Sequence, residues 1–193
     1  LEYKNYSDNE LVVACRKQIR QAQQELFARF VYMMKGICLR YAHDEAEAED
    51  ILQDAFIRIF GKLDQFNETG PLGAWIRRIT VNTALESYRK RKSVKQQLVQ
   101  VLDLKDLHPT TDDGIIEHMQ AEELVKKIQQ LPPGYRAVFN LYAVEGYNHP
   151  EIGELLGISE GTSKSQYSRA RLMLRTMIDE ESSQEQIRLS YAK

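Results

Sequence analysis

Apolar residues recur at three- and four-residue steps along almost the whole chain, and no stretch keeps the two-residue alternation of a half-buried strand. The pattern predicts an all-α protein. Residues 8–42, "DNELVVACRKQIRQAQQELFARFVYMMKGICLRYA", read as two helices. The second carries Leu26, Phe27, Phe30, Val31, Met34, Ile37, Cys38 and Tyr41 on one broad face. Asp44 is placed to cap a third helix, "EAEAEDILQDAFIRIFGKLDQF". Its acids gather in the first half, where the helix dipole favours them. Its apolar side is Ile51, Leu52, Ala55, Phe56, Ile59, Phe60 and Leu63. "NETGP" interrupts the period, and "LGAWIRRITVNTALESYRKRK" resumes it as a fourth helix.

From Ser93 to about residue 119 the periodicity is lost among Pro, Gly, paired Thr and paired Asp. The stretch is too long for a tight connection within one compact fold and predicts a flexible linker. It divides the chain into residues 1–92, a linker 93–119, a second helical domain 120–178 and a tail 179–193. In the second domain "AEELVKKIQQL" is one helix, and "PPGYRAVFNLYAVEG" is another with prolines in its first turn. Asn148 and Glu151 form a capping-box pattern at the start of "HPEIGELLG", and Gly157 stops that helix. Ser159 caps the last helix, "EGTSKSQYSRARLMLRTMI".

A short helix, a Gly turn and a capped longer helix make a helix-turn-helix. On the longer helix Ser163, Tyr167, Ala170 and Leu174 share the inward face. Thr162, Lys164, Ser165, Gln166, Arg169 and Arg171 are predicted to point outward; each can donate a hydrogen bond and none is acidic. The N-terminal half of such a helix enters the DNA major groove, and arginines further along reach phosphates or bases. The helix start at Ser159 is a further phosphate site. A helix pair with a merely solvated basic face is the blander alternative.

Charge changes the picture because it is segregated. The 193 residues carry a net charge of −2, but residues 44–54 hold six acids and no base, and residues 77–95 hold seven bases and one acid. Residues 103–123 are again acidic, and 162–175 have four bases and no acid. Blocks of opposite sign point to partners of both kinds, nucleic acid and a basic protein surface. In the fourth helix Trp75 and Tyr88 interleave with Arg77, Arg78, Arg89 and Arg91, with Asn82 between them. Cations hold phosphates, aromatic rings stack on unpaired bases, and Asn reaches base edges. Taken alone, Trp75 is more often a core residue than a stacking platform, and the acidic block also suits an ordinary helix start.

The remaining chemistry is sparse. Cys15 and Cys38 lie in apolar helical patterns and read as small buried hydrophobes; the four histidines show no metal-ligand spacing. No nucleophilic, paired-carboxylate or phosphate-loop motif stands out, so no enzyme, cofactor or metal site is expected. No apolar run is long enough to span a bilayer, and the first residues lack a signal peptide's basic-then-apolar order.

Taken together, these motifs resemble the extracytoplasmic-function (ECF) subfamily of bacterial sigma-70 RNA polymerase sigma factors. "AEDILQDAFIRIFGKLDQF" resembles region two, "WIRRITVNTALESYRKRK" its promoter-reading helix, and "LPPGYRAVFNLYAVEGYNHPEIGELLGISEGTSKSQYSRARLMLR" region four. The resemblance implies a cytoplasmic, non-enzymatic specificity subunit whose partners are core RNA polymerase, double- and single-stranded promoter DNA and an anti-sigma factor, with no direct membrane insertion. It implies polymerase contacts at Asp50, Gln53 and Asp54, with Phe56 and Ile59 close by. It implies −10 reading and strand melting by the loop around Phe66 and Asn67 and by Trp75, Arg77, Arg78, Asn82, Tyr88, Arg89 and Arg91. It implies −35 reading by Ser159, Thr162, Lys164, Ser165, Gln166, Arg169 and Arg171, with Glu151 across the backbone. Three departures accompany it: Gln166 where Arg is frequent, Ser163 where an aliphatic residue is frequent and looser packing is expected, and "NHP" before the Glu-Ile pair. A dimeric helix-turn-helix regulator on palindromic duplex sites is the alternative reading, and a helical interaction adaptor with incidental basic faces is a more distant one.

Overall fold

The computed structural model describes the backbone of residues 2–96 and 121–191, and the side chains of 3–91 and 122–181. Among these residues every regular element is a helix. The chain divides into two units, Leu1–Lys92 and Ser93–Lys193. The predicted linker lies outside the described residues except for its first four positions, which prolong a helix.

In the first unit a short 3-10 turn, Glu2–Asn5, leads to α1 (Asp8–Arg16), α2 (Arg20–Tyr41), α3 (Glu45–Lys62) and α4 (Leu72–Gln96). Ser7 and Glu10 close a capping box on α1, and Asp44 caps α3 through the Glu47 N–H at 2.8 Å. The core is built from Leu11, Leu26, Met34, Ile59, Leu72 and Ile76, all fully buried. Burying such side chains stabilises the unit by about 1.5–3 kcal/mol each. Thr80 and Thr83, buried on α4, return their hydroxyls to the carbonyls of Ile76 and Ile79 at 2.9 and 2.8 Å. Phe27, expected on the inward face of α2, is 45% exposed.

The second unit contains α5 (Ala121–Gln130), α6 (Pro133–Phe139), α7 (His149–Leu156) and α8 (Glu160–Tyr191). After Phe139, α6 widens into a π turn over Asn140–Val144, where Glu145 N–H reaches the Asn140 carbonyl at 2.9 Å. Asn140 is fully buried and donates its side-chain amide to the Arg136 carbonyl at 3.0 Å. Arg136, also buried, donates to the carbonyls of Gln129 and Leu131 and thereby caps the end of α5. Ile128, Leu131, Phe139, Ala170 and Leu174 form the core.

Two helices outrun their predicted ends. α4 continues to Gln96, and α8 continues through the expected tail to Tyr191. Neither extension contains Gly or Pro to stop it. Lys127, 5% exposed, also donates to the Met177 carbonyl and pairs with Glu181, tying the start of the α8 extension to α5.

Candidate polymerase and DNA interfaces

On α3, Asp50, Gln53 and Asp54 are exposed. Their spacing puts them on one stripe, and the next position of that stripe is Ile57. Ile57 is 69% exposed. Beside it runs a groove of about 520 Å³ lined by Phe27, Leu52, Gln53, Ile57 and Phe60. Phe27 packs against Phe56 with the rings tilted by 35° and their centroids 4.5 Å apart. The structure corrects the sequence expectation here. Ile59 is 0% exposed and belongs to the core; Phe56, 6% exposed, packs in the core while also lining the groove, and Ile57 is the exposed apolar side chain of the stripe.

The basic fourth helix separates into two sides. Arg78, Asn82 and Arg89 are exposed and fall on one line along α4. Arg77 is half-buried. Arg91 turns away from that line and pairs with Glu47, a carboxylate that also accepts from the His43 N–H and the Ser87 hydroxyl. Arg58 on α3 reaches Glu86 on α4 at 2.7 Å, and this guanidinium hydrogen bond holds the Glu86 carboxyl below its usual range. Arg91 is therefore a strut between α3 and α4, not a free groove cation. Tyr88 is half-buried, and burial pushes its hydroxyl pKa up.

The loop before α4 also differs from expectation. Phe66 is 4% exposed, its ring 5.5 Å from that of Trp75, and both pack on the core. Phe66 therefore presents no free face as a stacking platform, whereas Trp75 stays partly exposed. Asn67 is exposed and its Oδ1 accepts from the Thr69 N–H and hydroxyl at 3.4 and 2.8 Å, forming a tight polar turn.

The helix-turn-helix forms as its local signals dictate. Asn148 Oδ1 accepts from the Glu151 N–H at 2.9 Å, and Glu151 Oε2 accepts from the Asn148 N–H at 2.8 Å. Glu151 is thus an exposed cap whose carboxylate is already engaged. Gly157 ends α7 at φ +64°. A Cβ on Gly153 would lie 2.8 Å from the Ile158 carbonyl, so the turn needs a glycine there. Ser159 Oγ accepts from the Thr162 N–H at 3.0 Å and shares a hydrogen bond with its hydroxyl.

On α8, Ser163, Ala170 and Leu174 are buried as predicted. Lys164 and Ser165 are exposed; Lys164 pairs with Glu160 at 2.7 Å. Thr162 is partly covered. A Cβ added to Gly134 would come within 3.3 Å of the Gln166 amide oxygen, Arg169 donates to the Tyr135 hydroxyl at 3.4 Å, and Arg171 sits 5.9 Å from the Tyr167 ring centroid. The outward set is therefore graded, with Arg169 and Arg171 resting on neighbouring tyrosines and Gln166 beside Gly134.

Ser163 does not leave a loose spot. Its hydroxyl lies 3.0 Å from His149 Nδ1, and the His149 ring stacks on Tyr142 at 4.4 Å and 13°. Tyr142 in turn meets Tyr167 at 4.4 Å. The "NHP" departure and the Ser163 departure are two halves of one contact. Burial and the nearby Lys164 charge hold His149 below its ordinary pKa, partly opposed by Glu160.

Three features escaped the sequence reading: Ile57, the His149–Ser163 pair, and Arg16, whose side chain reaches the loop before α4. Ile57 was readable from the helical step of the acidic stripe. The other two join residues far apart along the chain and leave no local signal. Among the described residues no helix is long and apolar enough to cross a membrane.

Residues 26–94 match the family model for sigma-70 region 2, and residues 121–174 match that for sigma-70 region 4. The ECF RNA polymerase sigma factor SigW of Bacillus subtilis (strain 168) is 30% identical over 175 residues, covering 84% of this chain and 94% of SigW. The RNA polymerase sigma factor CnrH of Cupriavidus metallidurans is 26% identical over 185 residues, covering 91% of this chain and 96% of CnrH. Among solved structures, the sigma factor RpoE in complex with the anti-sigma factor NepR from Bartonella quintana aligns with a TM-score of 0.48 at 22% identity, over 81% of this chain and 96% of that one. The identity to SigW, sustained over nearly its full length and joined to both region matches in the same order, settles the assignment: this chain belongs to the ECF subfamily of sigma-70 RNA polymerase sigma factors, the proteins with which RNA polymerase initiates transcription.

Proposed function

We propose that the first unit docks on core polymerase through the α3 stripe of Asp50, Gln53, Asp54 and Ile57, and reads and opens the −10 element through Arg78, Asn82 and Arg89 of α4 together with the Asn67 loop. The second unit reads the −35 element through the start of α8, with Ser159, Thr162, Lys164 and Ser165 foremost and Gln166, Arg169 and Arg171 behind them. Residues 93–119 join the two. The protein itself catalyses nothing; it acts in the cytoplasm, and polymerase forms the RNA bonds. Strand opening draws on binding energy, from cation contacts to the backbone and hydrogen bonds to the edges of captured bases.

The observation that carries this reading is the division of labour within the first unit. An acidic and apolar stripe lies on α3 and a cationic stripe on α4, and the ion pairs Glu47–Arg91 and Arg58–Glu86 fix the two helices to each other. A dimeric duplex-DNA regulator has no use for that pairing. An anti-sigma factor is the further partner expected of a family member, and the exposed groove beside Ile57 offers it an apolar seat.

Run-off transcription tests the reading. Purified core polymerase plus this chain, on a library randomised at −35 and −10, is expected to yield transcripts from a defined promoter class. Absence of transcripts, with sequence-specific binding of the chain alone to palindromic duplexes, would show a regulator instead.

A further inference from the structure

Arg16 closes α1, in a region assigned neither to DNA nor to polymerase. Its guanidinium leaves its own helix and enters the loop between α3 and α4. Nε and Nη2 donate to the Leu63 carbonyl at 3.2 and 3.0 Å, and Nη2 also donates to the Phe66 carbonyl at 2.5 Å. Asp64 and Glu68 flank it, each at 3.8 Å. One side chain thus joins the Phe66 N–H on the carbonyl that opens the 3-10 turn Leu63–Gln65, donates to the carbonyl of Phe66 just after it, and neutralises the acids on either side.

The loop's own residues give it partial support. Glu68 stands at φ +62°, a left-handed conformation uncommon for a residue with a Cβ. The Asn67–Thr69 turn holds only the tip. Phe66 pins the loop from beneath by burial against Trp75. Arg16 holds it from the side. With its charge matched by two acids and its side chain only 27% exposed, Arg16 is poorly placed to bind a phosphate. Its geometry is that of a positioning group.

We propose that Arg16 is a specificity-determining positioning residue: it fixes the 63–70 loop in the one shape that discriminates among unpaired bases of the opened strand. The inference rests on the reading that this loop contacts the −10 element. Discrimination needs donors and acceptors held in place before the base arrives. Released from Arg16, the loop samples several shapes, and different shapes accept different bases.

The test uses holoenzyme made from core polymerase and the full chain. Open-complex rates are measured on promoters that carry each of the four bases in turn at every non-template position of the −10 element. Wild type is expected to favour one base strongly at one position. Arg16→Ala should shrink that preference about tenfold, while affinity for core polymerase and for −35 duplex stays within about twofold. Should all four rates fall together with the preference intact, Arg16 has only a structural role and the inference is overturned. If Arg16→Ala loses its helical circular dichroism, Arg16→Gln, which keeps one donor, is judged by the same two outcomes. A wild-type holoenzyme that opens promoters but shows no base preference at any −10 position would instead remove the loop reading, and this inference with it.

Discussion

His149→Ala should destabilise the second unit far more than a half-buried residue at the first turn of a short helix ordinarily would. The stack on Tyr142 is nearly parallel at 13°, with centroids 4.4 Å apart. Such a pair contributes about 0.5–1.5 kcal/mol beyond area burial. The substitution also strips the partner from the Ser163 hydroxyl, which is 0% exposed. Leaving a buried hydroxyl unsatisfied costs about 1–3 kcal/mol. The sum is about 1.5–4.5 kcal/mol. Ser163→Ala removes the hydroxyl as well as the bond, and the His149 ring can turn Nδ1 to water, so that change should cost about 1 kcal/mol. The double variant should therefore be less destabilised than the two singles added, by about 1 kcal/mol. Native-state amide exchange at Ile152 and Ala170, read in the full chain, measures all three. Titration adds a signed check. Because His149 is held below its ordinary value of 6.5, the unfolded chain takes up the proton first as pH falls. The contribution of the pair is complete above about pH 6.5 and fades as pH drops through that value toward the folded-state pKa. Single variants that add without coupling, together with a wild-type pH profile that His149→Ala leaves unaltered, would refute the reasoning.

Ile57→Ala should leave the melting temperature nearly unchanged, as surface changes shift stability by only about 0.5 kcal/mol, yet weaken core polymerase binding about tenfold in an anisotropy titration. Ile59→Ala, two positions on, should instead cost about 2–5 kcal/mol of stability by opening a cavity in the core. Arg78→Ala with Asn82→Ala should abolish permanganate reactivity of the −10 region while promoter docking, followed by gel shift, changes less than about threefold, since the −35 contacts remain. Burial pushes the Cys15 and Cys38 thiols up to about 11 and about 12, so neither should be alkylated at pH 8 until denaturant is added; mass spectrometry counts the adducts.

What the sequence made legible was local. Asn148 and Glu151, Gly157 and Ser159 each act within three residues of where they stand, so the helix-turn-helix could be bounded without any knowledge of tertiary contacts. The inward face of α8 followed from period alone. What escaped was set by residues meeting across the fold. Arg91 was counted among the DNA-binding cations, but Glu47, 44 residues earlier, holds it. Phe66 was read as loop surface, yet Trp75 and the core bury it. Arg16 and Leu63 are 47 positions apart, and no period links them. The ends of α4 and α8 were placed too early because loss of an apolar pattern was taken for loss of helix. A helix needs no buried stripe to continue when breakers are absent and its residues have fair propensity.

The side chains best placed to meet promoter DNA, Arg78, Asn82 and Arg89 on α4 and Lys164 and Ser165 on α8, all project into solvent. Exchanging them disturbs folding little. On the proposed reading, the direct promoter contacts are removable lettering, while the plate beneath is kept by Ile59, Glu47, Ile128 and Ser163 and the set of one line by Arg16. Such a molecule can acquire a new set of genes without first surviving a weakened fold.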